Sequence, residues 1–371
     1  MDKVCARCFS DTDIKQWISE YDGKRGCSFC GGYTSPTALL ADLCAWLERS
    51  LCNHFGKAAD NLPWNSSEGG YQWRTWSSYE LLFERIGLDL PLDHQGQLQR
   101  DIGYELSDEI WCDINWVTLD EDEAMRFAWD RFCTLIKHER RFFFHDKGGD
   151  DKSAESFSSL GILTAIADLA EHLDLVRNQE PGLRLYRARP GFKKSSPSAK
   201  DFGPPPRTVC QSNRMNPAGV PMFYGALDPR TAVKEVKEQS SQVGFFITVE
   251  PLRLLDLSRI PAVPGFFSEE PRRLRLYLSF LHYFADDIMQ PVARDDRVHT
   301  EYVPSQVVTE FLREHTFEVG KLDGVVYGSV ASPGKRNVVL FLEDLDPEQS
   351  WYMPKTAIPL RFIRAKNVKL D

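Results

Sequence analysis

The chain has 371 residues, 42% hydrophobic and 27% charged, enough for two domains each with its own core. A formal net charge of −9 disfavours a general nucleic-acid surface, which needs a field that attracts phosphate, while leaving room for a local basic cleft. No apolar run approaches the ~18 residues needed to span a bilayer, and Met1-Asp2-Lys3-Val4-Cys5 lacks the basic-then-apolar pattern of a signal peptide. The 9 cysteines are an odd number, which fits a reducing compartment better than a disulfide framework. The expectation is a cytoplasmic protein with no membrane partner.

Cys5 and Cys8 form one C-x-x-C pair, and Cys27 and Cys30 form a second after 18 intervening residues. Two such knuckles can aim four thiolates at one tetrahedral Zn2+, and Gly26, Gly31 and Gly32 supply freedom for the turns. With four protein ligands such a zinc has no open position, so it is structural and stabilises a segment too small to fold alone. Cys44 and Cys52 fall on an apolar helical stripe and read as core.

Ser35-Pro36 reads as an N-cap before a helix that carries Leu39, Leu43, Trp46, Leu47 and Leu51 to about Lys57. Residues 61–76, rich in Trp, Ser and Gly, read as a loop, and 77–87 as a short helix. Residues 121–138 and 154–176 are amphipathic helices, separated by a turn at Gly148-Gly149-Asp150-Asp151. From about Pro181 the pattern changes to short strands and Pro- and Gly-rich turns. Strands are predicted at 183–187, 244–249, 324–327 and 337–342, and helices at 229–238, 270–288 and 305–315. In the first of these strands Arg187 continues the apolar face of Leu183 and Leu185, so it needs an anionic partner. The loop 191–213 is placed to fold over that cleft. Strands and helices do not alternate, so the class is α+β, and no G-x-G-x-x-G or P-loop is present. The expected domains are a zinc knuckle at 1–33, a helical domain at 34–178 and a mixed-sheet domain at 179–371.

Four stretches of the last domain together resemble the RES family, named for its Arg, Glu and Ser. They are Leu185-Tyr186-Arg187, then Asn213-Arg214-Met215-Asn216-Pro217-Ala218-Gly219, then Tyr224-Gly225-Ala226 leading to Thr231-Ala232-Val233-Lys234-Glu235, and Gly324-Val325-Val326-Tyr327-Gly328-Ser329. Asn337-Val338-Val339-Leu340-Phe341 follows as the closing strand, and Tyr302-Val303-Pro304-Ser305-Gln306 also matches. The resemblance covers roughly residues 180 to 345. It implies an ADP-ribosyltransferase-like fold that consumes NAD+, often as the toxin of a pair with a neutralising antitoxin.

The residue types suit that chemistry. Nicotinamide in NAD+ is already a cationic leaving group, so catalysis consists of holding the dinucleotide and stabilising an oxocarbenium-like ribose. Glu235 is the carboxylate placed for it, on a helix capped by Asp228-Pro229, with Lys234 and Glu238 as an exposed i,i+4 pair. Arg187, the family's defining arginine, and Arg214 are candidates for the pyrophosphate, and Arg189 on the same strand face is a rival. Tyr224 offers a ring to stack on nicotinamide or ribose or, equally, a core tyrosine. Ser329 reads as a binding hydroxyl, because no histidine nearby points to a nucleophile.

Three functions follow: NAD+ cleavage with water or phosphate as acceptor, mono-ADP-ribosylation of a macromolecule, or an RNA-binding or RNA-cutting module with an inactive RES half. The last rests on the N-terminal half, which resembles the HEPN-like region found fused to RES domains. Arg131 with His138 and Arg140 with His145 have the Arg-x(4–6)-His spacing of HEPN nucleases, but Phe132 follows Arg131 where those carry a polar residue. We read these pairs as solvated.

Overall fold

In the computed structural model, residues 2–21, 23, 26–33, 36–143, 157–191, 193–290, 298–342 and 359–370 are described. The chain divides into two compact units, one of Met1–Asp122 with Ala262–Ser279 and one of Glu123–Pro261 with Phe280–Asp371. It is α+β throughout.

The first unit is mostly helical. Helix Thr12–Glu20 starts where the Asp11 side chain accepts the Asp13 and Ile14 N–H groups, a cap worth about 1 kcal/mol. Helix Leu40–Cys52 buries Leu43, Cys44, Trp46, Leu47 and Leu51 on one face. It starts later than the sequence pattern implies because Thr37–Leu39 pairs as a strand with Lys3–Cys5. Ser35 lies outside the described residues, as does the turn at 148–151. The loop predicted at 61–76 holds one small strand pair, Trp64–Asn65 with Gly70–Tyr71. The segment 262–279 contributes Phe266 and Phe267 to this unit's core. His54 stacks on Phe266 at 4.1 Å, its Nε2 lies 2.9 Å from the Phe266 carbonyl, and burial pushes its imidazole down to about 4.

The second unit is built on an eight-stranded sheet. Its strands are β1 (Val176–Gln179), β2 (Arg184–Arg189), β3 (Phe223–Ala226), β4 (Ser240–Thr248), β5 (Leu252–Asp256), β6 (Gly324–Gly328), β7 (Arg336–Leu340) and β8 (Leu360–Lys369). The order across the sheet is β8-β4-β2-β3-β7-β6-β5-β1. Among the described strands only β5 and β6 pair in parallel, so the sheet is mixed. Helices Glu121–Thr134 and Ser159–His172 form within the predicted ranges, the first continued by a π-helical turn, Leu135–Glu139, and the second ending before 176 because Val176 opens β1, paired with β5.

One junction in the sheet is weak. Strand β2 pairs with β4 along its whole length, from Arg184↔Ile247 to Arg189↔Gln242, and β3 pairs fully with β7. Between β2 and β3 the single bridge is Tyr186↔Ala226. The two halves of the sheet therefore fork there, and Arg187 is the next residue on β2.

A carboxylate and an unpaired arginine on the split sheet

The site begins with a short helix. Asp228 caps it by accepting the Thr231 N–H at 2.9 Å, and Pro229 opens it with a preset φ. Ala232 and Val233 pack with Ala226, Ala188 and Val243, which docks the helix on the sheet. It ends at Glu235, because Lys237 adopts φ +57° and breaks the repeat. The expected Lys234–Glu238 pair is therefore not formed. Glu238 lies past the helix end and accepts the Gly191 N–H at 2.6 Å instead.

Glu235 is held from the sheet. Ser329 Oγ donates to Glu235 Oε1 at 2.6 Å, and Asn337 Nδ2 donates to the same oxygen at 2.7 Å. Ser329 follows β6 directly, its N–H bonds the Lys335 carbonyl, and its Oγ accepts the Ser332 N–H at 3.0 Å. The serine hydroxyl is thus committed to Glu235 rather than turned outward. Oε2 of Glu235 takes no hydrogen bond among the described residues, and the side chain is exposed. Tyr327 lies opposite Asn337 on β6, and burial together with the Glu235 charge raises its phenol above the ordinary range. Ser329 and Gly328 also line a cavity of about 410 Å3 with Ser258, His282, Asp286 and Arg336.

The two rival arginines of β2 separate cleanly. Arg189 Nε donates to the Asp201 carbonyl at 3.0 Å and Nη2 to the Gly203 carbonyl at 2.6 Å. It ties down the loop after β2, whose Phe202 is buried against Gly244, where a Cβ would come within 2.5 Å of its ring. Among the described residues Arg187 has no ion pair, and its buried Nη1 finds no hydrogen-bond partner. Its guanidinium lies 5.3 Å from the centre of the Phe223 ring. Burial, with the Arg189 charge adding to it, pushes the guanidinium down to about 9. Because guanidinium groups scarcely give up their proton, such a setting is relieved by an anion instead. No hydrogen bond or ion pair joins Arg187 to Glu235 among the described residues.

Arg214 lies on the turn that begins at Asn213 and closes at Gly219, where φ is +85°. Its Nη1 donates to the Ile288 carbonyl at 3.0 Å, and its guanidinium faces the Tyr302 ring at 5.8 Å. Helix Val303–Glu314 holds the turn, with Ser305 Oγ bonding the Arg214 carbonyl and Gln306 Nε2 reaching the Asn213 carbonyl at 2.7 Å. Tyr224 latches the same turn. Its hydroxyl donates to Asn216 Oδ1 at 2.7 Å and accepts the Met215 N–H at 3.2 Å. Asn337 and Tyr327 were not singled out by their types. The available signal was a polar residue opening an otherwise apolar strand.

Cys5, Cys8, Cys27 and Cys30 meet at the other end of the chain. Sulfur separations are 3.9 Å for Cys5–Cys8, 3.5 Å for Cys5–Cys30 and 3.6 Å for Cys8–Cys27, and all four lie within 4.8 Å of one another. A tetrahedron with Zn–S bonds of about 2.3 Å has edges of ~3.8 Å, so the four sulfurs fit a metal ion of that size. Gly31, at φ +66°, makes the second knuckle's turn. The HEPN-type pairs are not assembled in this way. Arg131 and Arg140 line a groove of about 460 Å3, but His138 does not, and both Arg131 and His138 are exposed. His145 lies outside the described residues. No helix among the described residues is long and apolar enough to cross a membrane.

Fold and cluster together define an α+β domain that presents, on a forked mixed sheet, a carboxylate and a guanidinium with no counter-ion among the described residues. Residues 184–362 match the family model described as RES domain, and residues 20–150 match HEPN/RES N-terminal domain 1. The chain thus carries a RES domain behind a HEPN/RES N-terminal domain, as its motifs imply. No curated protein and no solved structure matches it.

Proposed function

We propose that the RES domain cleaves the nicotinamide–ribose bond of NAD+, as a toxin or defence effector under the control of a neutralising partner. The observation that carries the reading is Glu235, fixed through Oε1 by Ser329 and Asn337 while Oε2 has no partner among the described residues. As the bond to nicotinamide breaks, positive charge develops at the ribose C1′ and ring oxygen. A carboxylate oriented before the reaction stabilises that charge without reorganising. Nicotinamide leaves as a neutral base, so no general acid is required, and water or phosphate takes its place at C1′. Arg187 supports the reading from the binding side, since a desolvated guanidinium without a counter-ion favours a phosphate. Arg214 is the second cation for the pyrophosphate. Tyr224 and Ser329 act by shaping the Asn213–Gly219 turn and orienting Glu235. At the N-terminus, zinc held by Cys5, Cys8, Cys27 and Cys30 would have a structural role, since four thiolates leave it no open position.

The test is to incubate the purified protein with NAD+, with and without lysate, and weigh the products. Free ADP-ribose or ADP-ribose 1-phosphate is expected. ADP-ribose attached to a macromolecule would make the domain a transferase, and intact NAD+ under both conditions would overturn the proposal.

A further inference from the structure

Asn337 sits in a place that suits an apolar side chain. It is 5% exposed on β7, followed by the buried Val338, Val339 and Leu340, and lies between Ala226 and Tyr327 on the neighbouring strands. Its amide is only half satisfied. Nδ2 donates to Glu235 Oε1, but Oδ1 is buried with no partner among the described residues. The opposite amide orientation would set Oδ1 against the carboxylate, so charge fixes this one. An orphaned buried acceptor destabilises the fold, and a valine there would not carry that penalty. What the asparagine supplies is therefore the bond to Glu235.

That bond answers a local need. Glu235 ends a seven-residue helix, its side chain is exposed, and the chain turns away at Lys237. One donor from Ser329 would still let the carboxylate swing about a single hydrogen bond. A second donor from the adjacent strand, on the same oxygen, removes that freedom. We propose that Asn337 is a positioning residue, whose amide works with Ser329 to fix Glu235 through Oε1 so that Oε2 alone faces the substrate, at the expense of stability. This rests on the reading of Glu235 given above.

The inference predicts opposite movements of stability and activity. Asn337→Val should melt no lower than wild type, while kcat for NAD+ falls about 10- to 100-fold, the scale of a misplaced reacting group, and KM stays within about threefold. Asn337→Asp keeps the shape but replaces the donor with a like charge beside Glu235. Its kcat should fall too, with KM again within about threefold, because the carboxylate is pushed off the position that Ser329 holds. A purely structural role would move kcat only together with the melting temperature. Wild-type kcat in Asn337→Val, or activity lost only in step with a lower melting temperature in both variants, overturns the inference. Wild-type protein that leaves NAD+ intact removes the underlying reading, and this inference with it. Cleavage by wild type and Asn337→Val alike removes the inference alone.

Discussion

The cysteine cluster and the Glu235 cluster both gather residues far apart in sequence, yet they finish differently. In the first, four sulfurs turn toward a common centre and nothing is left over. In the second, the bonding is incomplete: among the described residues Glu235 Oε2 and the buried Arg187 Nη1 have no partner. A closed set of contacts stabilises, whereas an open one is poised to receive something. The same contrast runs along one strand, where Arg189 is closed on two carbonyls and Arg187 is not.

The largest effect should come from opening the closed site. Apparent zinc affinities of structural sites are about 10–16 kcal/mol, comparable to the ~5–15 kcal/mol stability of a whole domain. Chelating the metal, or Cys8→Ser, should therefore abolish amide-exchange protection around residues 3–30 of the full chain while the strands β2, β4 and β7 keep theirs. Metal analysis finding no zinc in the purified protein, or protection unchanged after chelation, would break the comparison on this side.

Smaller effects should distinguish the two arginines. Arg187→Lys keeps the charge but cannot present two parallel donors, so kcat/KM should fall by a factor equivalent to about 1–3 kcal/mol. Arg189→Lys should instead lose about 1 kcal/mol of stability with its carbonyl contacts, read as a lower melting temperature, and leave kcat/KM nearly unchanged. Melting shifts induced by NAD+, measured in a Glu235→Gln background, separate the roles. Equal NAD+ shifts with and without Arg187→Lys would end the pyrophosphate assignment.

Much of this was legible in the sequence, for a physical reason. Motif order carried Glu235 and Ser329, and the structure brings them within 2.6 Å although they are 94 residues apart. C-x-x-C spacing carried the knuckles, because ligand geometry leaves few alternatives. The choice between Arg187 and Arg189 was not legible, since alternation puts both on one face. What distinguishes them is the bonding of Arg189 to two backbone carbonyls, of Asp201 and Gly203, from a loop with no periodicity. Strand β8 was hidden for a related reason. It is an edge strand, mostly exposed, and Arg361, Arg364, Lys366 and Lys369 mask any apolar repeat. That 262–279 belongs with the first unit depends on Phe266 and Phe267 meeting a core some 200 residues upstream, which local pattern does not register.

The central claim is that the open oxygen of Glu235 carries the chemistry. Turnover of NAD+ by Glu235→Gln, compared with wild type at equal melting temperature, tests it most directly. Glutamine keeps the size and can still accept from Ser329 and Asn337, but it removes the charge opposite the developing cation. The variant's kcat should be lower by about 10²–10³-fold, the scale for losing a preorganised electrostatic contact, with the NAD+-induced melting shift retained. Wild-type turnover in that variant would contradict it.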